Sequence, residues 1–449
     1  MRRRAAAGRT RRTRALSMLL LVAALALPAA CGGGGTADSE DPVQVLLFGD
    51  PEELAAYREL IAGFEAESPV EVQLVEASDR EDLIARLSTS IAGGAAPDVF
   101  LLNYRYYGQF AAKGAIAPLD QRLADSEALS ADELYPTALE AFQWQGEQLC
   151  LPQNVSSLAV YYNRDLFEKY GVAEPPERWT WYEMVAAAVA LTRDANGNQV
   201  VGTESEGTQQ VAVYGLGVEP SMIRIAPFVW SNGGELVDDP QAPTRFTLDT
   251  PEAAEALRAF LELQIVYGVI PTDGEVEAED DETRFANGRL AMLLSSRRAT
   301  TTFRSIEEFD WDVAPLPVFD ESVGILHSDA YCITSASPRQ DDAWAFVEYA
   351  LSEPGQRLLA RTGRTVPSNI EVSRSRAFLD PTQPPSRSQV FLDAIDTVRA
   401  TPTISTWPEI EDVTAGILED ALYLGIPIDE VVRRLDEETR PIFARGEGP

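Results

Sequence analysis

The chain has 449 residues, of which 45% are hydrophobic and 24% charged, with 37 Lys and Arg against 71 Asp and Glu for a formal net charge of −34. The first thirty residues hold seven Arg and no acid, so the remaining ~419 residues, enough for two to three ordinary domains, carry 30 basic against 71 acidic groups, or −41. That composition describes a globular chain whose surface repels phosphate backbones and so excludes nucleic acid as a partner, while a single His (His327) and three Cys (Cys31, Cys150, Cys332) leave too little for a four-ligand zinc site or a triad with its own base.

Residues 1–30 have the grammar of a signal peptide. Arg2, Arg3, Arg4, Arg9, Arg11, Arg12 and Arg14 precede an apolar run from Ala15 to Leu27, and small Ala29 and Ala30 precede Cys31. The run is short for a membrane span, and no other stretch reaches about 18 apolar residues. Residues 31–42, opening on Cys31 and the glycines 32–35, form a flexible polar tether. The segment Leu27-Pro28-Ala29-Ala30-Cys31 resembles the bacterial lipoprotein box, with Pro28 where that pattern prefers leucine. It implies lipidation of Cys31 and attachment to the outer face of the bacterial cell membrane. Disulfides persist there, so Cys150 and Cys332, both in short strand-like runs, are open to two readings: a bridge or a pair of buried free thiols.

Val43 to Phe48 reads as a strand, and Asp50-Pro51 is an N-cap and first-turn pair opening a helix with Leu54, Tyr57, Ile61 and Phe64 on one face. Val70, Val72 and Leu74 alternate as a second strand. Asp79 caps a helix that Gly93-Gly94 ends, and Asp98 to Leu102 is a continuous apolar run of the kind buried on both faces of a parallel sheet. The β-α-β-α-β pattern predicts a doubly wound α/β sheet. In such sheets ligands sit beyond the carboxyl ends of the strands, which points to Phe48-Gly49-Asp50, Glu76-Ala77-Ser78 and Asn103-Tyr104-Arg105.

Further on, Leu158 to Tyr162 is strand-like, Thr180 caps an alanine-rich helix, and Thr250-Pro251 starts a helix stopped by Gly268. Two more helices are expected near 341–351 and 410–424. The acidic stretch from Glu275 to Glu282 reads as solvated surface and not a metal site. Asp194-Ala195-Asn196-Gly197-Asn198 partly mimics a calcium loop, but Gln199 stands where that loop needs glycine, so an exposed turn is expected. No metal site is expected anywhere in the chain.

Several segments in order resemble the extracellular solute-binding proteins of family 1, the group that includes maltose-binding protein. Ile91 to Phe100 is similar to the family's "AGGxAPDVF" element, followed by Phe110, Gly114 and Pro118-Leu119. Leu151-Pro152 with Tyr161 to Phe167 resembles "P…YYNKDLF", and Trp179-Thr180-Trp181 resembles "P-x-TW". Ser231 to Leu236 resembles "NGGE", and Phe285 to Met292 resembles "FxxGxxAM". The resemblance covers Val43 to about Phe443. It implies two doubly wound α/β lobes joined by crossing hinge strands, the type II periplasmic-binding-protein plan. Lobe 1 would take 43–155 and 330–375, and lobe 2 would take 156–329 and 376–446. Cys150 and Cys332 would then lie on crossing segments, which favours their bridging.

The resemblance also implies a non-enzymatic, monomeric lipoprotein without cofactor that captures a mono- or oligosaccharide between its lobes and hands it to the permease of an ABC importer. ATP hydrolysis would belong to another subunit, in keeping with the lack of a G-x-x-x-x-G-K-[ST] loop. Two departures fall in the expected cleft: His327-Ser328-Asp329-Ala330-Tyr331 replaces a glycine pair, and Ser295-Ser296-Arg297-Arg298 replaces an aromatic. An arginine there suits a hydroxyl pair, a carboxylate or a phosphate. The same fold binding a non-sugar or anionic solute, or acting as a sensor, is therefore the alternative, and an envelope glycoside hydrolase a remote one.

A sugar calls for planar aromatics against C–H patches and planar polar groups for its hydroxyls. The candidates are Phe48, Asp50, Asn103, Tyr104, Gln153 and Asn154 from the first half, Trp230, Asn232, Arg297 and Arg298 from the second, Tyr331 on the returning crossing and Trp407 near the C-terminus. Trp230 is the leading single contact, and its replacement by Ala is expected to weaken binding by about 1–3 kcal/mol. His327 is a candidate for ligand contact or for a structural hinge role.

Overall fold

The computed structural model describes residues 41–200, 202 and 210–449. The expected signal segment, Cys31 and the tether as far as residue 40 lie outside the described residues. The chain opens with β1 (Val43–Phe48), α1 (Pro51–Glu67), β2 (Val72–Ala77), α2 (Arg80–Gly93) and β3 (Val99–Asn103). The expected caps set these boundaries. Asp50 accepts the Glu53 amide at 2.8 Å, and Pro51 fills the first helical position, where no N–H is needed. Asp79 accepts the Asp82 amide at 2.9 Å, and Gly94 ends the helix at φ +71, a left-handed conformation that suits glycine. All five residues of β3 are buried, and α3 (Tyr104–Ala111) follows it directly with Asn103 as N-cap.

Next in chain order come β4 (Cys150–Pro152), β5 (Leu158–Asn163), α4 (Trp181–Leu191), α5 (Met222–Ser231), α6 (Pro251–Ile265), β6 (Met292–Ser296), α7 (Ala299–Phe303), β7 (Trp311–Ala314), β8 (Asp329–Ile333), α8 (Gln340–Leu351), α9 (Glu353–Ala360), α10 (Trp407–Leu424) and α11 (Ile428–Phe443). A capping box between Thr180 and Glu183 opens α4. Two sheets organise these elements. The larger has the order β2-β1-β3-β8-β4, with β1 parallel to β2 and β3, and β8 antiparallel to both β3 and β4. The smaller places the fully buried β5 between antiparallel β6 and β7. Single parallel bridges, Tyr214 to Leu290 and Gly217 to Leu293, extend it.

Each sheet is covered on both faces. Leu60 and Phe64 of α1 with Phe346 and Val347 of α8 pack on Val45, Leu47 and Leu101. On the opposite face, Leu83 and Leu87 of α2 and Tyr107 of α3 meet Leu46 and Phe100. Helices α4, α5, α6, α10 and α11 cluster over Val160, Tyr162 and Leu294 of the smaller sheet. The cluster under α2 and α3 runs on without a break to Tyr161, Phe303 and Trp311.

The chain passes from the larger sheet to the smaller through 153–157 and returns through 324–328, and these passages pair antiparallel at Ser156 and His327 through two 2.8 Å backbone hydrogen bonds. Cys150 and Cys332 stand directly opposite each other across β4 and β8 and are joined, with S–S 2.00 Å and Cα–Cα 4.4 Å. Among the described residues, no helix is long and apolar enough to cross a membrane.

Candidate ligand-binding cleft

The carboxyl ends of β1 and β3 deliver charged side chains toward the junction of the two sheets. Asp50 spends Oδ1 on its helix cap and accepts with Oδ2 from Arg364 at 2.7 Å and from the Thr301 hydroxyl of α7 at 3.1 Å. Arg364 also pairs with Glu53, one helical turn into α1. Burial pushes the Glu53 carboxyl up to about 8, against the opposing pull of Arg364. The folded state therefore keeps a proton that the unfolded chain, with an ordinary value of 4.5, has released. Stability from this group falls as pH rises from about 4.5 to about 8, by about 1.4 kcal/mol per pH unit, and is level above that. Glu53→Gln should remove this slope in denaturant titrations across the same window, and a slope unchanged in the variant would contradict the assignment.

At the start of α2, the Arg80 guanidinium lies over the rings of Phe48 and Tyr106 at 5.5 and 5.6 Å and approaches Asp329 at 4.0 Å. Asn103 accepts from both the backbone amide and Nε of Arg105 at 3.3 Å, which aims that guanidinium at Glu411 of α10, 2.6 Å away. From the smaller-sheet half, Arg224 in the first turn of α5 pairs with Glu219 at 3.3 Å, and Arg298 with Glu282 at 3.0 Å. His327 lies between these groups on the returning passage. Burial first, then Arg224, Arg105, Arg80 and Arg298, hold its imidazole well below its ordinary range, so it is neutral. Asn154 donates to Gln153 at 3.2 Å and to the Asp329 carboxylate at 3.4 Å, and accepts the Asp329 amide at 3.2 Å. Together these residues gather charged and polar side chains where the two sheets meet, over the paired crossing segments, a candidate cleft whose fixed donors and acceptors suit the binding and orientation of a solute.

Phe48, Asp50, Asn154 and Arg298 meet in this cleft, with Asn103 behind them as the residue that orients Arg105. The other candidates fall elsewhere. Gln153 and Tyr331 are buried, with Gln153 donating to the hydroxyls of Tyr331 at 3.1 Å and of Tyr57. Tyr104 is buried against Thr401 at 3.1 Å. Asn232 caps the end of α5 and donates to the Glu252 carbonyl at 2.8 Å.

Arg297, contrary to the expectation that it faces solute, is 1% exposed. It donates to the Gly363 carbonyl at 2.7 Å and to Ser388 at 3.1 Å between the rings of Phe378 and Phe391, and burial pushes its guanidinium down to about 9. Both residues lie in the turn between β6, which ends at Ser296, and α7, and the rings of Phe378 and Phe391 enclose Arg297 while Arg298 stays exposed beside Glu282. Trp407 is fully buried beside Phe246 and Phe443. Trp230 lines a different recess of about 770 Å³ with Gln143, Glu235 and Thr401. Arg399 covers its ring at 4.7 Å, and its indole N–H is without a partner.

Arg80, Tyr106, Arg224, Thr301, Arg364 and Glu411 were not among the expected contacts. Arg80 follows the Glu76-Ala77-Ser78 strand end by two residues, and Glu411 lies one helical turn beyond Trp407, so local spacing could have found both. Nothing local marks Arg224 or Arg364. The expected exposed turn at Asp194 is self-satisfied, its carboxylate accepting the amides of Asn196 and Asn198 at 2.8 Å. Among the described residues, no group of His, Cys, Asp and Glu is placed to hold a metal ion.

Comparison with known proteins agrees with this architecture. A putative binding protein of Brucella abortus is 23% identical over 376 residues, covering 82% of this chain and 85% of its own length. The maltotriose-binding protein of Pyrococcus abyssi is 23% identical over 310 residues, 68% of this chain and 61% of its own. Among solved structures, an ABC substrate-binding protein from Listeria monocytogenes in complex with cycloalternan superposes with a TM-score of 0.80 at 24% identity, covering 90% of this chain and 99% of that one. The family model of the bacterial extracellular solute-binding protein matches residues 49–357. With two helix-covered sheets joined by paired crossing segments, and with that match over more than half its length, the chain belongs to the bacterial extracellular solute-binding protein family.

Proposed function

We propose that this protein is the substrate-binding lipoprotein of an ABC importer, anchored outside the cell membrane through Cys31, which captures a carbohydrate in the cleft and delivers it to the permease. Lobe 1 comprises 43–155 and 330–375, and lobe 2 comprises 156–329 and 376–446. The observation that carries the reading is the set of side chains meeting across the cleft from different sheets: Asp50 with Thr301 at 3.1 Å, and Arg105 with Glu411 at 2.6 Å. Such contacts exist only when the lobes are together. A solute touching both lobes adds free energy to that state alone and shifts the population toward it. The permease reads the closed shape. Names of the matched relatives, a maltotriose-binding protein among them, support sugar as the solute class. Binding without bond making also fits a family of binders, and the protein works as a monomer without a cofactor.

Incubating purified protein with a panel of mono- and oligosaccharides tests this. Saturable thermal stabilisation without turnover is expected, and release of product would contradict it. Because Trp230 lines a separate recess, the Trp230→Ala variant should keep its affinity within about twofold, whereas a loss of about 1–3 kcal/mol would move the sugar to that recess.

A further inference from the structure

The cleft concentrates arginines in a chain that is otherwise strongly acidic. Arg80 and Arg105 reach it from the helices that follow β2 and β3, and Arg224 and Arg298 from the smaller-sheet half, with His327 between them on the crossing segment. Each guanidinium spends part of its fork on one carboxylate: Arg80 on Asp329, Arg105 on Glu411, Arg224 on Glu219 and Arg298 on Glu282. These pairs leave donors over. Nε of Arg80 and Nε of Arg224 are buried without a hydrogen-bond partner; Nδ1 of His327 is unpartnered too and donates only in the tautomer that carries its proton there.

The helix carrying Arg224 adds to this. Ser221 is the N-cap of the ten-residue α5, but its side chain makes no cap bond and its hydroxyl is also buried and unpartnered. The positive end of that helix thus faces the same place as the free Arg224 Nε, an arrangement that favours negative charge. Leaving buried donors without an acceptor is costly. That cost is recovered when an acceptor arrives.

We propose that the cleft takes a solute bearing an oxyanion, a carboxylate, phosphate or sulfate on a sugar or polyol, seated over His327 between Arg80 and Arg224 with Ser221 donating from the helix terminus. The inference rests on the reading of this cleft as the solute site. A planar or tetrahedral oxyanion offers several acceptors to the two forks at once, which a single hydroxyl does not.

The test is calorimetric titration of the purified protein with glucuronate, galacturonate, glucose 6-phosphate and glycerol 3-phosphate beside their neutral parents glucose, galactose and glycerol. At least one acidic probe should bind about tenfold or more tightly than its parent, the margin expected from one additional charge-assisted pair. Added salt should shrink that margin. Arg224→Gln should abolish it, and Arg298→Gln, at a position whose side chain is 56% exposed, should reduce it while the melting temperature stays at the parent's. A carboxylate and a phosphate probe of equal affinity would support the oxyanion in general, and a preference between them would support one source. Neutral parents binding as well as the acidic probes overturns the oxyanion while leaving sugar capture standing. If neither class binds, the cleft is not the solute site and both readings fall together.

Discussion

Replacing Cys150 and Cys332 together by Ala is expected to lower the stability of the protein by about 2–5 kcal/mol, seen as a fall in melting temperature of about 3–6 °C for a chain this long. The bridge closes a loop of 182 residues. In the chain-entropy account, a loop of that length removes freedom from the unfolded ensemble worth about 5 kcal/mol, near the top of the range seen for disulfides. It also ties β4, the edge strand of the larger sheet, to β8, which leads directly from the crossing that carries His327. Both sulfurs are buried in a tight cross-strand pair, so Ala leaves small voids and no stranded polar group. The far-ultraviolet spectrum should stay native. A melting temperature equal to that of the parent would mean that the unfolded chain gains nothing from losing the bridge.

Trp407→Ala should be about as damaging, for a different reason. The indole is fully buried at the start of α10, packed edge-on to Phe246 at 6.2 Å and tilted against Phe443 at 6.4 Å. Deleting such a side chain loses its transfer free energy and leaves a cavity that the surroundings only partly fill, about 3–5 kcal/mol in all. The indole N–H also donates to Glu411 at 2.9 Å, and Glu411 is the partner of Arg105 across the cleft. The variant should therefore lose stability in denaturant titrations, with the transition midpoint shifted and its slope kept. Loss of solute affinity at unchanged stability would restore Trp407 to the role of a direct contact.

The contrast between Trp407 and Glu411 shows what could be read before the structure. The β-α-β-α-β half was legible because each boundary has a local cause: Asp50 with Pro51, Asp79, and Gly94. The helix over 340–351 and the one opened by Thr250-Pro251 follow from periodicity and punctuation of the same kind, although the second ends at Ile265, three residues before the expected Gly268. The site was legible only by residue type and strand end. Phe48, Asp50 and Asn154 lie where the strand-end rule and the first crossing put them. Arg297 and Arg298 are adjacent and chemically identical, yet one is walled in by Phe378 and Phe391 and the other is open to solvent, a difference set by tertiary packing. Arg364 reaches Asp50 across 314 positions of sequence, and no local pattern encodes that meeting.

The pairing of Cys150 with Cys332 is part of the structure, as the family resemblance led us to expect. The acidic stretch after Thr272 has more order than a solvated surface requires. Glu275 closes a capping box with Thr272 and accepts the Tyr214 hydroxyl at 2.6 Å, and Asp280 caps the next short helix.

Small-angle scattering on the purified protein, with and without a solute that stabilises it thermally, addresses the two-lobed trap most directly. Bound solute should reduce the radius of gyration, in step with occupancy and without any product in solution, because the contacts of Asp50 with Thr301 and of Arg105 with Glu411 form only when the lobes meet. A scattering curve that stays the same from empty to saturated protein would contradict a hinged capture mechanism.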